Sequence, residues 1–360
     1  MAATTPQKST ALTQRNTTRT VAVNSFWYAF ESVFSLVLVF ATSIPIARVL
    51  GPERLGYFNY IMWLANVSAL VGIGNPAVTH KYMAEFIARG ERGLARSVFY
   101  RTLGTQVITA SAITLAGEIA VFTISDPHYR WVSFFQVLSV FPAMVNGIPS
   151  QANNAIANMK ANVAGGLASA FIYLAGVLLS LWLGWDLLGI AIAFALSRAA
   201  ELLIRMVPVI RWVNLAKAVT LPADLVRTMR SFMVQSVALM LLNMLVWDRS
   251  DIVLLRYLNH DLSQISFFST PFSLIEKAVL IPEVFGHALG VSMMAEYGRN
   301  AARAVQLAES AGKYLYLLAG PLLFGMALLS GPVIRLLYGP KYLPAIPVLA
   351  VAAGLALFKP

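Results

Sequence analysis

Ionisable and amide side chains recur at helical spacing inside stretches that are otherwise apolar. Between residues 21 and 49, Asn24, Tyr28, Glu31, Ser35 and Thr42 follow one another at steps of 4, 3, 4 and 7, which puts them on one face of an α-helix. Between 265 and 293, Ser269, Glu276, Glu283 and His287 follow at steps of 7, 7 and 4, with Lys277 beside Glu276. A third stretch holds Gln136, Ser139, Asn146, Ser150 and Asn153, and a fourth holds Asn59 and Asn66. A fifth holds Gln235 and Asn243, then Asp248, Arg249, Ser250 and Asp251 near its end. The chemistry these types supply is binding: carboxylates hold protons, cations or hydroxyls, amides match hydroxyls, and Lys or Arg meets anions. An ionisable group in lipid is costly, so these residues are expected to face other helices or a water-filled cavity. The candidates for such a cavity are Asn24, Glu31, Asn66, Asn146, Asn243, Arg249, Asp251, Glu276, Lys277 and Glu283. Two plainer readings compete: Ser, Asn and Gln glue helices together, and Asp248, Arg249 and Asp251 form an interfacial ion pair. Arg198 and Glu201 are expected to pair along their helix, and Arg48 and Arg256 to snorkel from helix ends.

The elements that carry these side chains are ten apolar stretches, near 21–49, 57–79, 98–124, 131–157, 163–184, 187–208, 231–256, 265–293, 313–337 and 343–358. Most are long enough to cross a hydrocarbon core of roughly 30 Å at about 1.5 Å per residue. With 58% hydrophobic and only 12% charged residues, the chain reads as an all-α polytopic membrane protein. Barrel strands would be about 10 residues of alternating polarity, which these are not. Residues 1–20 are rich in Ser, Thr and Gln, and read as a disordered tail rather than a signal peptide.

The net charge of +11 is unevenly placed. Basic residues gather before the first stretch and after the second, fourth, sixth and eighth, about 17 in all against 7 in the alternate connections. This asymmetry predicts an N-terminus in the cytoplasm, with some attraction to anionic membrane lipid. No basic patch is interleaved with aromatic residues, so nucleic acid is not an expected partner. Cysteine is absent, which excludes disulfides, thiolate metal sites and thiol nucleophiles. His80, His128, His260 and His287 lie on separate stretches without metal-ligand spacing. With no nucleophile–base arrangement and only short external loops, an enzyme such as a membrane polymerase or ligase is a minor alternative, and no cofactor is expected.

The chain also echoes itself. Arg48-Val49-Leu50-Gly51-Pro52-Glu53 and Arg256-Tyr257-Leu258-Asn259-His260-Asp261, 208 positions apart, each leave an apolar stretch, and Met83-Ala84-Glu85-Phe86 is echoed by Met294-Ala295-Glu296-Tyr297. Two matches in the same order predict parallel repeats: a six-helix bundle over 21–208, a cytoplasmic linker over 209–230, and a second bundle over 231–360. The second bundle holds four stretches, so at least two further helices are expected beyond it. Pro45, Gly72, Gly74, Pro76, Pro142, Pro149, Pro271 and Pro282 punctuate the spans and read as sites of bending.

The run Ala47-Arg48-Val49-Leu50-Gly51-Pro52-Glu53-Arg54-Leu55-Gly56-Tyr57 resembles oligosaccharide flippases, the polysaccharide exporters of the multidrug/oligosaccharidyl-lipid/polysaccharide superfamily. Asp251-Ile252-Val253-Leu254-Leu255 and Leu337-Tyr338-Gly339-Pro340-Lys341-Tyr342-Leu343-Pro344-Ala345 match in the same order. The resemblance implies two bundles in a V-shaped arrangement in the cytoplasmic (inner) membrane, the second incomplete here. It implies transport of a lipid-linked oligosaccharide for surface polysaccharide synthesis, with other polysaccharide-assembly proteins as further partners. In that reading Lys277 and Arg249 contact phosphate, and Glu31 and Glu276 bind a coupling ion, Na⁺ or H⁺, or sugar hydroxyls. The runner-up is a cation-coupled multidrug extrusion antiporter of the same superfamily.

Overall fold

The structure is a computed structural model that describes residues 7–69, 72, 74–247, 252, 255, 258, 261–297 and 301–356. Among them all regular structure is helical: α1 (Gln7–Ala69), α2 (Gly74–Ala88), α3 (Arg92–Ile124), α4 (Arg130–Leu138), α5 (Val140–Ala155) and α6 (Met159–Leu183) come first. They are followed by α7 (Asp186–Val213), α8 (Ala223–Trp247), α9 (Leu262–Tyr297), α10 (Ala301–Leu328), α11 (Ser330–Tyr338), a 3₁₀ turn (Pro340–Ala345) and α12 (Ile346–Ala356).

Seven helices among the described residues are long and apolar enough to cross a membrane, where ten stretches were expected. The difference has local causes. The first two stretches run together through α1, which is described as far as Ala69, and the end of the second falls in α2 from Gly74. The last stretch divides into the 3₁₀ turn and an eleven-residue helix. The stretch at 265–293 lies within α9, whose side chains are described only over its first part. At its other end α1 begins at Gln7, inside the polar stretch, because extending a nucleated helix costs little per residue.

Two joints of the same design set the path of the chain. At Gly51 the backbone takes φ 75° and ψ 175°, and at Gly339 φ 84° and ψ −175°, regions that side-chain-bearing residues avoid. Proline follows each glycine and opens the next helical segment, where a missing N–H is not needed. The remaining prolines of α1, α5 and α9 stay inside their helices. Between α4 and α5, Pro142 has no N–H for the Leu138 carbonyl, and the helix breaks at Ser139.

α1 is the hub, packing on α6 on one side and α9 on the other, while α8 packs on α2. Gly56 makes the α1–α9 seam possible, since any side chain there would overlap the Leu262 carbonyl at the start of α9. One apolar cluster, from Ile46 and Phe58 to Leu274, Ile334 and Tyr342, unites α1, α9, α11 and the 3₁₀ turn at the joint end. A second, around Met83, Phe99, Ile148 and Val213, holds the other end of α7 together with α2, α3 and α5. The faces turned away from these clusters carry exposed side chains such as Ile108, Leu115, Trp182, Leu203 and Leu317, an apolar exterior suited to lipid.

Candidate functional site

The seam between α1 and α9 encloses a cavity of about 490 Å³. Three helical faces supply it. The first segment of α1 offers Thr42 and Ser43, the segment after Gly51 offers Asn59, Trp63 and Asn66, and α9 offers Ser269, Thr270, Ser273, Glu276 and Lys277. Steps of 3 and 4 residues explain why each set points one way. Tyr173 of α6, Ile252 and Tyr338 complete the wall, the last from beneath the Gly339 joint.

Two polar contacts cross the seam. Asn59 Nδ2 donates to Ser269 Oγ at 2.8 Å, between positions separated by 210 residues, close to the offset of the sequence repeat. Lys277 Nζ donates to Ser43 Oγ at 3.3 Å and lies 5.0 Å from the centre of the Phe40 ring. The ring face and the hydroxyl offset part of the cost of holding an ammonium away from bulk water. Glu276 is exposed on the same wall, so the described lining carries one carboxylate and one ammonium, with the amides and hydroxyls set among apolar side chains such as Leu38, Ile46, Phe58 and Ile252. Such a surface can bind a polar neutral solute along its length and a charged group at the Glu276–Lys277 end.

Of the ten candidates, Asn66, Glu276 and Lys277 come together here. Asn146 does not: it is buried in α5 away from the cavity, with an Oδ1 that has no partner among the described residues. The side chains of Asn24, Glu31, Asn243 and Glu283, and the whole of Arg249 and Asp251, lie outside the described residues. Helix gluing accounts for the neighbours of Asn146, since Gln136 donates to the Phe58 carbonyl at 3.2 Å and Asn153 to the Arg205 carbonyl at 3.0 Å. Arg198 pairs with Glu201 along α7 at 3.0 Å as expected, and Arg205 joins them at 2.6 Å.

Arg48 departs from its expected role. Instead of snorkelling, its guanidinium donates to the Leu336 and Leu337 carbonyls at the end of α11. The reason is that Pro340 has no N–H to offer the Leu336 carbonyl, and a cation is favoured at a helix C-terminus. Reasoning from charge also passed over Ser43, Trp63, Thr270 and Ser273. Their signal was present: Ser266, Thr270, Ser273 and Lys277 follow at steps of 4, 3 and 4, and Trp63 lies between Asn59 and Asn66 on one face. Among the described residues no cluster of His, Asp and Glu is placed to hold a metal ion.

Comparison with known proteins agrees with this architecture. Residues 45–347 match a family model described as "Polysaccharide biosynthesis protein". No curated protein matches the sequence significantly. Among solved structures, an inward-facing multidrug resistance MATE family transporter of the MOP superfamily is similar at 14% identity, covering 89% of this chain and 76% of that one, with a TM-score of 0.69. A Vibrio cholerae MATE transporter is similar at 12% identity, covering 96% and 81%, with a TM-score of 0.65. A MOP superfamily transporter from Pyrococcus furiosus, described as having a binding pocket of reverse polarity, is similar at 14% identity, covering 92% and 77%, with a TM-score of 0.64. The matched segment contains both Gly-Pro joints and the α1–α9 cavity lining from Ile46 to Tyr338, the solved structures share its fold, and the chain belongs to the polysaccharide biosynthesis protein family.

Proposed function

We propose that this transporter moves a polyprenyl-pyrophosphate-linked oligosaccharide across the cytoplasmic membrane by alternating access, with the α1–α9 cavity receiving the head group. The observation that carries this reading is the lining: Ser43, Asn59, Asn66, Thr270 and Ser273 present hydroxyls and amides suited to sugar hydroxyls, with Lys277 beside them for phosphate. Membership of a polysaccharide biosynthesis family supports the same substrate class. The polyprenyl tail stays in lipid between a first bundle over 21–208 and a second over 231–360, with the basic connections and the N-terminus on the cytoplasmic side. A coupling ion, Na⁺ or H⁺, drives the cycle only if it binds one state more tightly than the other, and Glu276 and Glu31 are the carboxylates for that role.

A second reading has a specific observation in its favour. Two of the similar solved structures are described as multidrug resistance transporters, which supports extrusion of small molecules more directly than flipping. Glu276 in the cavity suits a cationic substrate as well as a coupling ion.

Proteoliposomes holding an undecaprenyl-linked oligosaccharide separate the two. Sugar exposure on the opposite leaflet, reduced by Glu31→Gln and by Lys277→Ala, is the result expected of a flippase. Absence of flipping, together with ion-gradient-driven efflux of a cationic dye, overturns that reading and establishes the antiporter.

A further inference from the structure

A second recess of about 490 Å³ lies between α2, α3 and α8, separate from the α1–α9 cavity. Three guanidinium-bearing residues border it: Arg101 from α3, and Arg227 and Arg230 from α8. The sequence accounts for them only as part of a charge asymmetry, and solvated loop charges would suffice for that. Their placement is more specific. Arg101 stands nine residues inside α3, so it is carried about 13 Å along the helix from its start. Arg227 and Arg230, three apart near the start of α8, project from one face toward the same space.

No ion pair among the described residues involves any of the three, although Arg54, Arg89, Arg198 and Arg205 each have a carboxylate. The one acidic residue of α8, Asp224, is not part of the lining, and no Asp or Glu from α2 or α3 is. Three like charges converging on a concavity without a counter-charge repel one another, and an anion placed among them removes that cost. Thr105 and Asn75 add polar groups to the wall.

The recess is also held in shape. A Cβ at Gly74 would lie 2.6 Å from Met233 Cγ, so α2 and α8 are in close contact along its edge. The connection from α7 to α8 is tied to α3, where Arg96 donates to the Ala216 carbonyl, Val219 N–H donates to Ser97 Oγ, and Tyr100 donates to Asn214 Oδ1. α3 belongs to the expected first bundle, and α8 carries the chain from the connection at 209–230 into the expected second. We propose that this recess binds a phosphate-type anion, with Arg101 on one side and Arg227 and Arg230 on the other, so that the bound group bridges α3 and α8. Guanidinium groups favour phosphate because their planar donors meet its oxygens in pairs. The same chemistry is offered by the phosphodiester of an anionic phospholipid and by free phosphate or pyrophosphate.

The experiment uses the full chain in detergent, with native mass spectrometry and thermal-shift titrations of dioleoyl phosphatidylglycerol, inorganic phosphate and pyrophosphate, and phosphatidylcholine as the neutral control. Arg101→Gln, Arg227→Gln and Arg230→Gln are compared singly and together with Arg211→Gln, an exposed arginine at the end of α7 that does not line the recess. The triple variant is expected to lose anion affinity by about tenfold or more, with Arg211→Gln unchanged. Arginine-dependent retention of phosphatidylglycerol alone assigns the site to a lipid head group, and an equal response to phosphate or pyrophosphate assigns it to the free ion. Binding that is the same in wild type and triple variant overturns the proposal, as does an equal loss in Arg211→Gln. All four positions are exposed, so folding is checked by each variant's unfolding temperature without anion, and the single variants retain the comparison if the triple one unfolds.

Discussion

Tyr342 donates its hydroxyl to the carbonyl of Ala47 at 3.1 Å, across 295 residues of sequence. Arg48, the next residue, reaches in the opposite direction to the carbonyls of Leu336 and Leu337. The two Gly-Pro joints are thereby clasped together above the α1–α9 cavity, with Lys341 lying over Gly51.

Breaking this clasp is expected to destabilise the joint end. Arg48→Ala leaves two helix-end carbonyls without a donor and should cost about 1–3 kcal/mol, and Tyr342→Phe about 1 kcal/mol. Thermal unfolding in detergent checks both, with Arg48→Lys expected between wild type and Arg48→Ala. A loss at Tyr342→Phe equal to that of Arg48→Ala would contradict this ranking.

Glu201 is buried between two arginines of its own helix, and Arg205 also donates to the Asn162 carbonyl of α6. Removing the carboxylate takes a 2.6 Å ion-pair contact from the nearly buried Arg205. Glu201→Ala is expected to lower stability by roughly 3 kcal/mol, since breaking a buried pair costs more than the pair contributes. The readout is the denaturant or heat midpoint, with Arg198→Ala as the milder comparison because Arg198 is the more exposed partner.

Glu118 in α3 has both carboxyl oxygens buried and, among the described residues, no hydrogen-bond partner. A polar group held this way costs about 1–3 kcal/mol relative to an apolar group of similar shape. Glu118→Leu should therefore raise the unfolding temperature. A lowered midpoint would show that the carboxyl has a partner that matters.

Asp261 opens α9. Its Oδ1 accepts the Ser263 backbone N–H at 2.9 Å, and this hydrogen bond holds its carboxyl below the usual carboxylate range, aided by Gln264. A lowered folded-state value means the added stability is present above the unfolded pKa, near 3.8, and is lost as pH falls through the folded value. Asp261→Ala is expected to cost roughly 0.5–1 kcal/mol at neutral pH, and Asp261→Asn less, because an amide oxygen still caps the helix. The difference between wild type and Asp261→Ala should shrink as pH is lowered through that window, followed by unfolding at several pH values.

Much of this molecule is legible from one chain read alone. Apolar length and a low share of charge determine a helical membrane protein, because a backbone in lipid must satisfy its own hydrogen bonds. The 3- and 4-residue steps of Asn59–Asn66 and Ser269–Glu276 determine that each helix has one polar face, and all four of those residues do meet in the cavity. Local sequence also marks the joints, since Gly-Pro at 51–52 and 339–340 combines a residue that tolerates positive φ with one that opens a helix.

What only the tertiary structure decided is which polar faces meet and which merely hold helices together. Asn146 and Asn66 are equally polar within similar stretches, yet one is sealed inside α5 packing and the other opens on the seam. Periodicity fixes a face but not its neighbour, and that neighbour depends on helix contacts between residues more than 200 positions apart. The same holds for Arg48 and for the recess at Arg101, Arg227 and Arg230. A side chain's type says what it can bind, and only the packing of distant helices says whether a helix end or an empty concavity lies within its reach.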